Sequence, residues 1–273
     1  MSTISLATRY YQLSPPGAFR GHQTLDMQID LTRAALLVVD VYGLAYTPQE
    51  ADARRHPSAD DATQSAVEAV ARNGVIPALE AARRAKLPVV YAHNSGPRIE
   101  LNRSQLGRTL NRTLDCDLEE LFRERDVDPR EYLHGEDNLF LETSEAIGPK
   151  PGDYFIRKHQ YSGFRDTRLD TLLRNLDVKT LFCVGFDAAT CLKMTMVDAF
   201  ELNYELVLLR DAASSIEIPE DMARGYSFTE RIIWWMEGHI CTSITTSQFV
   251  GALDGVQARD GHRAANVAGS SSR

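Results

Sequence analysis

Uninterrupted apolar runs alternate along this chain with stretches whose apolar residues recur at helical spacing. Ala34–Val39 is apolar throughout and ends at Asp40; Pro88–His93, Leu181–Val184 and Tyr204–Leu209, mostly apolar, are further expected strands. Runs of that length without polar alternation predict strands buried on both faces. Tyr154–Ile156 and Ile240–Ile244 are shorter candidates for a third and a sixth strand. Between them lie the helical stretches. One begins near Ala62, is expected to break around Asn73-Gly74, and resumes at Pro77, where proline suits a first turn. Another, capped by Thr167, places Leu169, Leu172, Leu173 and Leu176 on one face. A third starts at Cys191 and carries Leu192, Met196, Ala199 and Phe200; a fourth is expected from about Pro219 to Glu237, and a last one through Leu253. Strands alternating with helices, with almost no hairpin signal, predict an α/β protein with a mostly parallel six-stranded sheet covered on both faces.

Three stretches lie outside this pattern. Residues 1–31 are polar, contain Pro15-Pro16 and show no clear period, so they are expected to form an arm on the surface or toward a partner subunit. Residues 95–150 are charge-dense and predict short helices and loops over the carboxyl ends of the strands. Residues 254–273, rich in Gly, Ser and Ala, are expected to form a disordered tail. One domain over 32–253 remains.

Composition narrows the function classes. Thirty basic residues stand against 38 acidic ones, a formal charge of −8, which disfavours a nucleic-acid surface. No apolar run is long enough to cross a bilayer, and the first 21 residues lack a basic segment followed by an apolar block, so a cytoplasmic location is expected, with no membrane partner. Cys116, Cys183, Cys191 and Cys241 form no CxxC pair, which fits neither a zinc site nor a disulfide framework. Cys183 and Cys241 fall in expected strands and read as core; Cys116 sits among acids that would raise its pKa. His56, His93, His134 and His159 show no metal-ligand spacing, and no metal or cofactor is expected. Trp234-Trp235 reads as packing or a subunit contact.

In parallel sheets, sites form beyond the carboxyl ends of the strands. Asp40 follows the first strand, Lys158 the third, and Cys191 lies just past the fourth, in the first turn of a helix. Free amides and the helix dipole at that position favour a thiolate near neutral pH. An acid, an amine and a thiol at one edge suggest nucleophilic catalysis, with Asp40 as proton acceptor for Cys191 and Lys158 supplying positive charge. Each residue alone also has an inert reading: Cys191 as core, Asp40 as a loop cap, Lys158 as a solvated amine.

The set ALLVVD, then RKHQYSGFRDT, then VGFDAATC followed by a helix and LLRDAAS, resembles the isochorismatase-like cysteine hydrolases over roughly residues 32–253. Within them, YSGF followed by a T-x-L-D helix looks most like the ureidoacrylate amidohydrolase branch, with N-carbamoylsarcosine and biuret amidohydrolases as cousins. The resemblance implies a three-layer α/β/α sandwich and a homo-oligomer, dimer or tetramer. It also implies a triad falling on Asp40, Lys158 and Cys191, and a cis peptide at Phe186-Asp187 that aims the Asp187 amide, with that of Cys191, at an oxyanion. Asn94, Tyr161, Tyr42 and Phe186 are the expected substrate-lining residues. Tyr42 stands where family members often carry glutamine, and Ala188 where threonine is frequent. The implied activity is hydrolysis of a C–N bond in a small ureide or carboxamide. Other hydrolyses known in the superfamily, of biuret, nicotinamide or isochorismate, and a catalytically silent metabolite-binding role are the alternatives.

Overall fold

A computed structural model describes residues 3–14, 21–54, 59–94, 105–114 and 141–256. In chain order these form β1 (Thr3–Gln12), β2 (Gly21–Asp30), β3 (Ala34–Val39), α1 (Pro48–Ala51), α2 (Asp61–Val70), α3 (Ile76–Arg84), β4 (Val89–Asn94), α4 (Gln105–Leu114) and β5 (Tyr154–Lys158). There follow α5 (Leu169–Asn175), β6 (Thr180–Gly185), α6 (Cys191–Glu201), β7 (Glu205–Ala213), α7 (Pro219–Met222), α8 (Ser227–His239), β8 (Thr242–Ile244) and a closing helix α9 over 246–256. His56, Cys116, His134 and most of the 95–150 stretch lie outside the described residues. Most of the expected tail does too, although α9 carries its first residues to 256.

The six expected strands form a continuous parallel block, β8-β7-β6-β3-β4-β5. Every residue of β3 and β6 is buried, because each lies between two strands and under helices on both faces. Leu36, Val38, Val184 and Val207 pack with Leu79 of α3 and with Phe249 and Leu253 of α9. On the opposite face Leu37, Val39, Val90 and Leu208 pack with Leu169 of α5, Leu192 and Met196 of α6, and Ile233 of α8. Alternation along each strand thus feeds two separate cores, and the molecule has three layers. The helix expected to break at Asn73-Gly74 instead continues from α2 into α3 through a π-helical turn, Ala71–Val75. A Cβ on Gly74 would lie 2.6 Å from the Asp211 carbonyl oxygen, so the glycine permits close packing on β7 rather than ending a helix.

The segment expected to be an arm is a β-hairpin. β1 pairs antiparallel with β2 over ten residues and joins β8 through Arg9 and Ser243, extending the sheet to eight strands. Its inward positions are Ile4, Leu6 and Thr8, only two of them apolar, while β2 is mostly exposed at the sheet edge. That leaves too little alternation for a hydrophobic period to register. A polar cluster docks the hairpin on α8. Buried Glu237 accepts from Arg9 Nε at 2.8 Å and from Ser243 Oγ, and its other oxygen lies 3.1 Å from His22 Nε2. Tyr11 stacks on Trp234 with 5.5 Å between centroids, which assigns that tryptophan to packing.

Removing the Glu237 carboxylate strands a guanidinium and an imidazole against the sheet. Glu237→Ala is expected to lower unfolding stability by about 3 kcal/mol, read from urea denaturation followed by tryptophan fluorescence, with Glu237→Gln losing less.

Candidate active site

From β3 the chain builds outward through β4 and β5, then returns to pair β6 on the other side of β3. Such a reversal opens a crevice beyond the strand ends. Asp40 borders it from β3, and the turn between β6 and α6 borders it from the other side. Gly185 lies opposite Val39 at φ +127°, and a Cβ there would fall 1.9 Å from the Val39 carbonyl oxygen. Only glycine lets the turn come this near. The Phe186 amide then donates to the same oxygen at 2.9 Å, and the Phe186-Asp187 peptide is cis.

Asp40 adopts the left-handed region at φ 49°, and its amide donates to the Ala92 carbonyl at 3.1 Å. Its Oδ1 accepts from the Asn94 amide at 2.9 Å, and its Oδ2 lies 2.7 Å from Lys158 Nζ. Lys158 is fully buried. Burial alone would push its ammonium toward neutrality, but the interactions with Asp40 and then Cys191 outweigh that and hold its pKa above the ordinary lysine value. Lys158 also donates to Asn94 Oδ1 at 2.6 Å and to the Gln160 carbonyl at 3.3 Å. Since Asn94 and Lys158 are register partners on β4 and β5, acid, carboxamide and amine form a row across three adjacent strands.

Cys191 opens α6, is 8% exposed, and interacts electrostatically with both Asp40 and Lys158. The thiolate expected at this helix terminus is not what the surroundings favour. Burial, and then the Asp40 charge, push the thiol up to about 12, with Lys158 pulling the other way. The thiol therefore carries its proton at neutral pH beside a carboxylate that can accept it.

The structure brings Tyr42 and Tyr161 to the same place. Tyr42 accepts at its hydroxyl from Asn94 Nδ2 at 2.9 Å, and burial followed by the Asp40 and Cys191 charges holds its pKa well above the usual tyrosine value. Tyr161 is half-buried and its pKa is likewise raised, by burial and then by Cys191 and Asp187. Phe186 is half-buried against the core under α3 and α9. The Asp187 side chain ties the turn to the segment after β7: Oδ1 accepts from the amides of Ala189 at 2.6 Å and Thr190 at 3.1 Å, and Oδ2 from Ile216 at 2.7 Å. Burial raises its pKa while these main-chain donors oppose the rise. Its carbonyl takes the Thr190 and Leu192 amides, both at 3.1 Å.

Two further residues support the site without a sequence signal that singled them out. Thr195 donates to the Cys191 carbonyl at 2.7 Å and accepts from the Gly163 amide at 2.9 Å, tying the loop of Tyr161 to the cysteine helix. Its spacing of four from Cys191 was the available clue. His93 accepts the Val41 amide at 3.3 Å, so the proton of the neutral ring sits on Nδ1. A cavity of about 390 Å³ lined by His93, Phe155 and Arg157 lies on the opposite face of β4 and β5, since these residues alternate with Asn94 and Lys158.

Residues 25–224 match the family model described as the isochorismatase domain. The chain is similar to ureidoacrylate amidohydrolase RutB of Agrobacterium fabrum, 38% identical over 68 residues, which is 25% of this chain and 30% of that protein. It is also similar to the protein of that name from Pantoea ananatis, 32% identical over 103 residues, 37% of this chain and 41% of that one. The chain thus spans well under half the length of these curated relatives. Among solved structures, a cysteine hydrolase from Pseudomonas syringae pv. phaseolicola superposes with a TM-score of 0.63 at 21% identity, covering 84% of this chain and 95% of that one. N-carbamoylsarcosine amidase from Thermoplasma acidophilum superposes at 0.51 with 23% identity, covering 78% and 96%. At these identities the two structures speak for the fold.

Because Lys158 opposes the rise of the thiol pKa, Lys158→Met is expected to slow alkylation of Cys191 by iodoacetamide at pH 8 about tenfold. In the wild-type protein the rate should climb with pH through the whole range from 7 to 10, since the thiol titrates near 12. Mass-spectrometric quantification of the Cys191 peptide checks both.

Proposed function

Because the chain belongs to the isochorismatase family, we propose that it is a cysteine-dependent amidohydrolase that cleaves a C–N bond of a small ureide or carboxamide, of ureidoacrylate or N-carbamoyl type. The observation that carries this reading is the buried ion pair, Lys158 Nζ to Asp40 Oδ2 at 2.7 Å, with the protonated Cys191 thiol interacting with both members.

Asp40 takes the proton from Cys191 as the sulfur attacks the substrate carbonyl carbon. The carbonyl oxygen becomes an oxyanion, and the amides of Asp187 and Cys191, at the two ends of one tight turn, donate to it. Asp40 passes the proton to the departing nitrogen. The C–N bond breaks to release ammonia or an amine, and a thioester or carbamoyl-cysteine remains. A water molecule, giving its proton to Asp40, adds to that carbonyl; the C–S bond breaks, the thiol regains its proton, and the acid product leaves. Lys158, paired with Asp40 at 2.7 Å, orients it between these transfers. Tyr42, Tyr161 and Phe186 form the substrate walls, supported by the proximity of both tyrosines to the thiol. The engagement of the Asp187 carboxylate by three main-chain amides, two of its own turn and one of the segment after β7, supports a pocket in which this acid is turned away from the substrate. No metal or cofactor takes part in this scheme, and the assembly is proposed to be a cytoplasmic homo-oligomer.

The test is ammonia or amine release from ureidoacrylate, N-carbamoyl amino acids, biuret and nicotinamide. One member is expected to turn over, with Cys191→Ala and Asp40→Asn each lowering kcat by about 1,000-fold or more. Turnover that survives in Cys191→Ala would rule out covalent catalysis by this thiol. An inert Cys191 together with no turnover would favour a metabolite-binding protein.

A further inference from the structure

Asn94 occupies the one strand position between the acid and the amine. Asp40 follows β3, Lys158 ends β5, and Asn94 ends β4 between them, in register with Lys158. Its main-chain N–H donates to Asp40 Oδ1 at 2.9 Å. Its side-chain oxygen accepts from Lys158 at 2.6 Å, and its side-chain nitrogen donates to Tyr42 at 2.9 Å. Both polar atoms of the side chain and the main-chain N–H are therefore directed at members of the site. The orientation of the carboxamide is determined by chemistry: an ammonium only donates, so the oxygen faces Lys158 and the NH2 group faces the phenol.

We propose that Asn94 is a positioning residue, aligning Lys158 on Asp40 and orienting the Tyr42 hydroxyl, rather than a contact to substrate. The assignment rests on the reading of Asp40, Lys158 and Cys191 as the catalytic set. A side chain here has to accept from a cation on one side and donate to an oxygen on the other without bringing charge of its own. Among side chains of this length, only asparagine does so. Aspartate would accept from Lys158 equally well, but would add a second negative charge beside a thiol that burial, and then Asp40, already hold protonated. It would also present an acceptor to Tyr42 where a donor now stands. Alanine removes both links. Either replacement leaves the main-chain bond to Asp40 in place, so the side chain's part can be separated from that of the backbone.

The experiment compares Asn94→Asp and Asn94→Ala with wild type, with Cys191→Ala alongside, by steady-state kinetics over pH and by iodoacetamide alkylation of Cys191. Buried Cys183 serves as an internal gauge of folding. Asn94→Ala is expected to lower kcat about tenfold or more, the scale of one lost hydrogen bond to a charged group, with KM changed little. Asn94→Asp is expected to slow Cys191 alkylation at pH 8 about tenfold and to move the acid limb of kcat/KM to higher pH, as two carboxylates share one ammonium. A rise in KM with kcat intact in Asn94→Ala would make Asn94 a substrate contact and overturn the assignment. So would alkylation in Asn94→Asp at or above the wild-type rate. Failure of the amidohydrolase reading shows separately, as wild-type turnover that is absent or survives Cys191→Ala. The alkylation comparison decides the positioning role in either case.

Discussion

The crevice depends on keeping one pair of opposite charges, Asp40 and Lys158, away from water. Taking two ions out of solvent costs several kcal/mol for each, and their mutual attraction recovers that only when the remaining polar atoms are also satisfied. Here the Asn94 amide supplies Asp40, and the Asn94 and Gln160 oxygens supply Lys158. Those partners come from β4 and from the loop after β5. The arrangement therefore requires three neighbouring parallel strands to end at the same level, which is what the register of β3, β4 and β5 provides.

The state of the Cys191 thiol follows from a contest of magnitudes. A helix terminus favours an anion by about 0.3–1 kcal/mol, less than one pKa unit. Burial and the neighbouring carboxylate act in the other direction and carry the thiol from an ordinary 9.0 to about 12. Burial wins. The helix still matters, because its first turn sets where the sulfur sits. A thiol that keeps its proton until a base removes it is protected from adventitious oxidation, since reactivity belongs to the thiolate.

The two halves of the molecule around this site differ in how they are held. The parallel block rests on two apolar cores, whereas the amino-terminal hairpin is held by a buried carboxylate, two cationic or imidazole partners and an aromatic stack. Polar docking of that kind depends on atoms from residues more than 200 positions apart, Arg9 and Glu237 among them. Nothing within the local sequence of either segment announces the other.

By itself the sequence determined the α/β class, the six parallel strands and the placing of Asp40, Lys158 and Cys191 at one edge. Unbroken apolar runs report burial on both faces, and the ends of such runs report where sites form. The hairpin stayed hidden because its half-exposed strands, with Ile4, Leu6 and Ile29 as their buried apolar positions, leave almost no period. The continuation of α2 into α3 was obscured by a glycine whose reason is a contact with β7. Only the tertiary structure decided the protonation of Cys191, the bridging of the Asp187 carboxylate between its own turn and Ile216 after β7, and the place of Asn94 between acid and amine. Each of these is a property of groups brought together from distant strands, and desolvation, charge and hydrogen bonding act through space rather than along the chain.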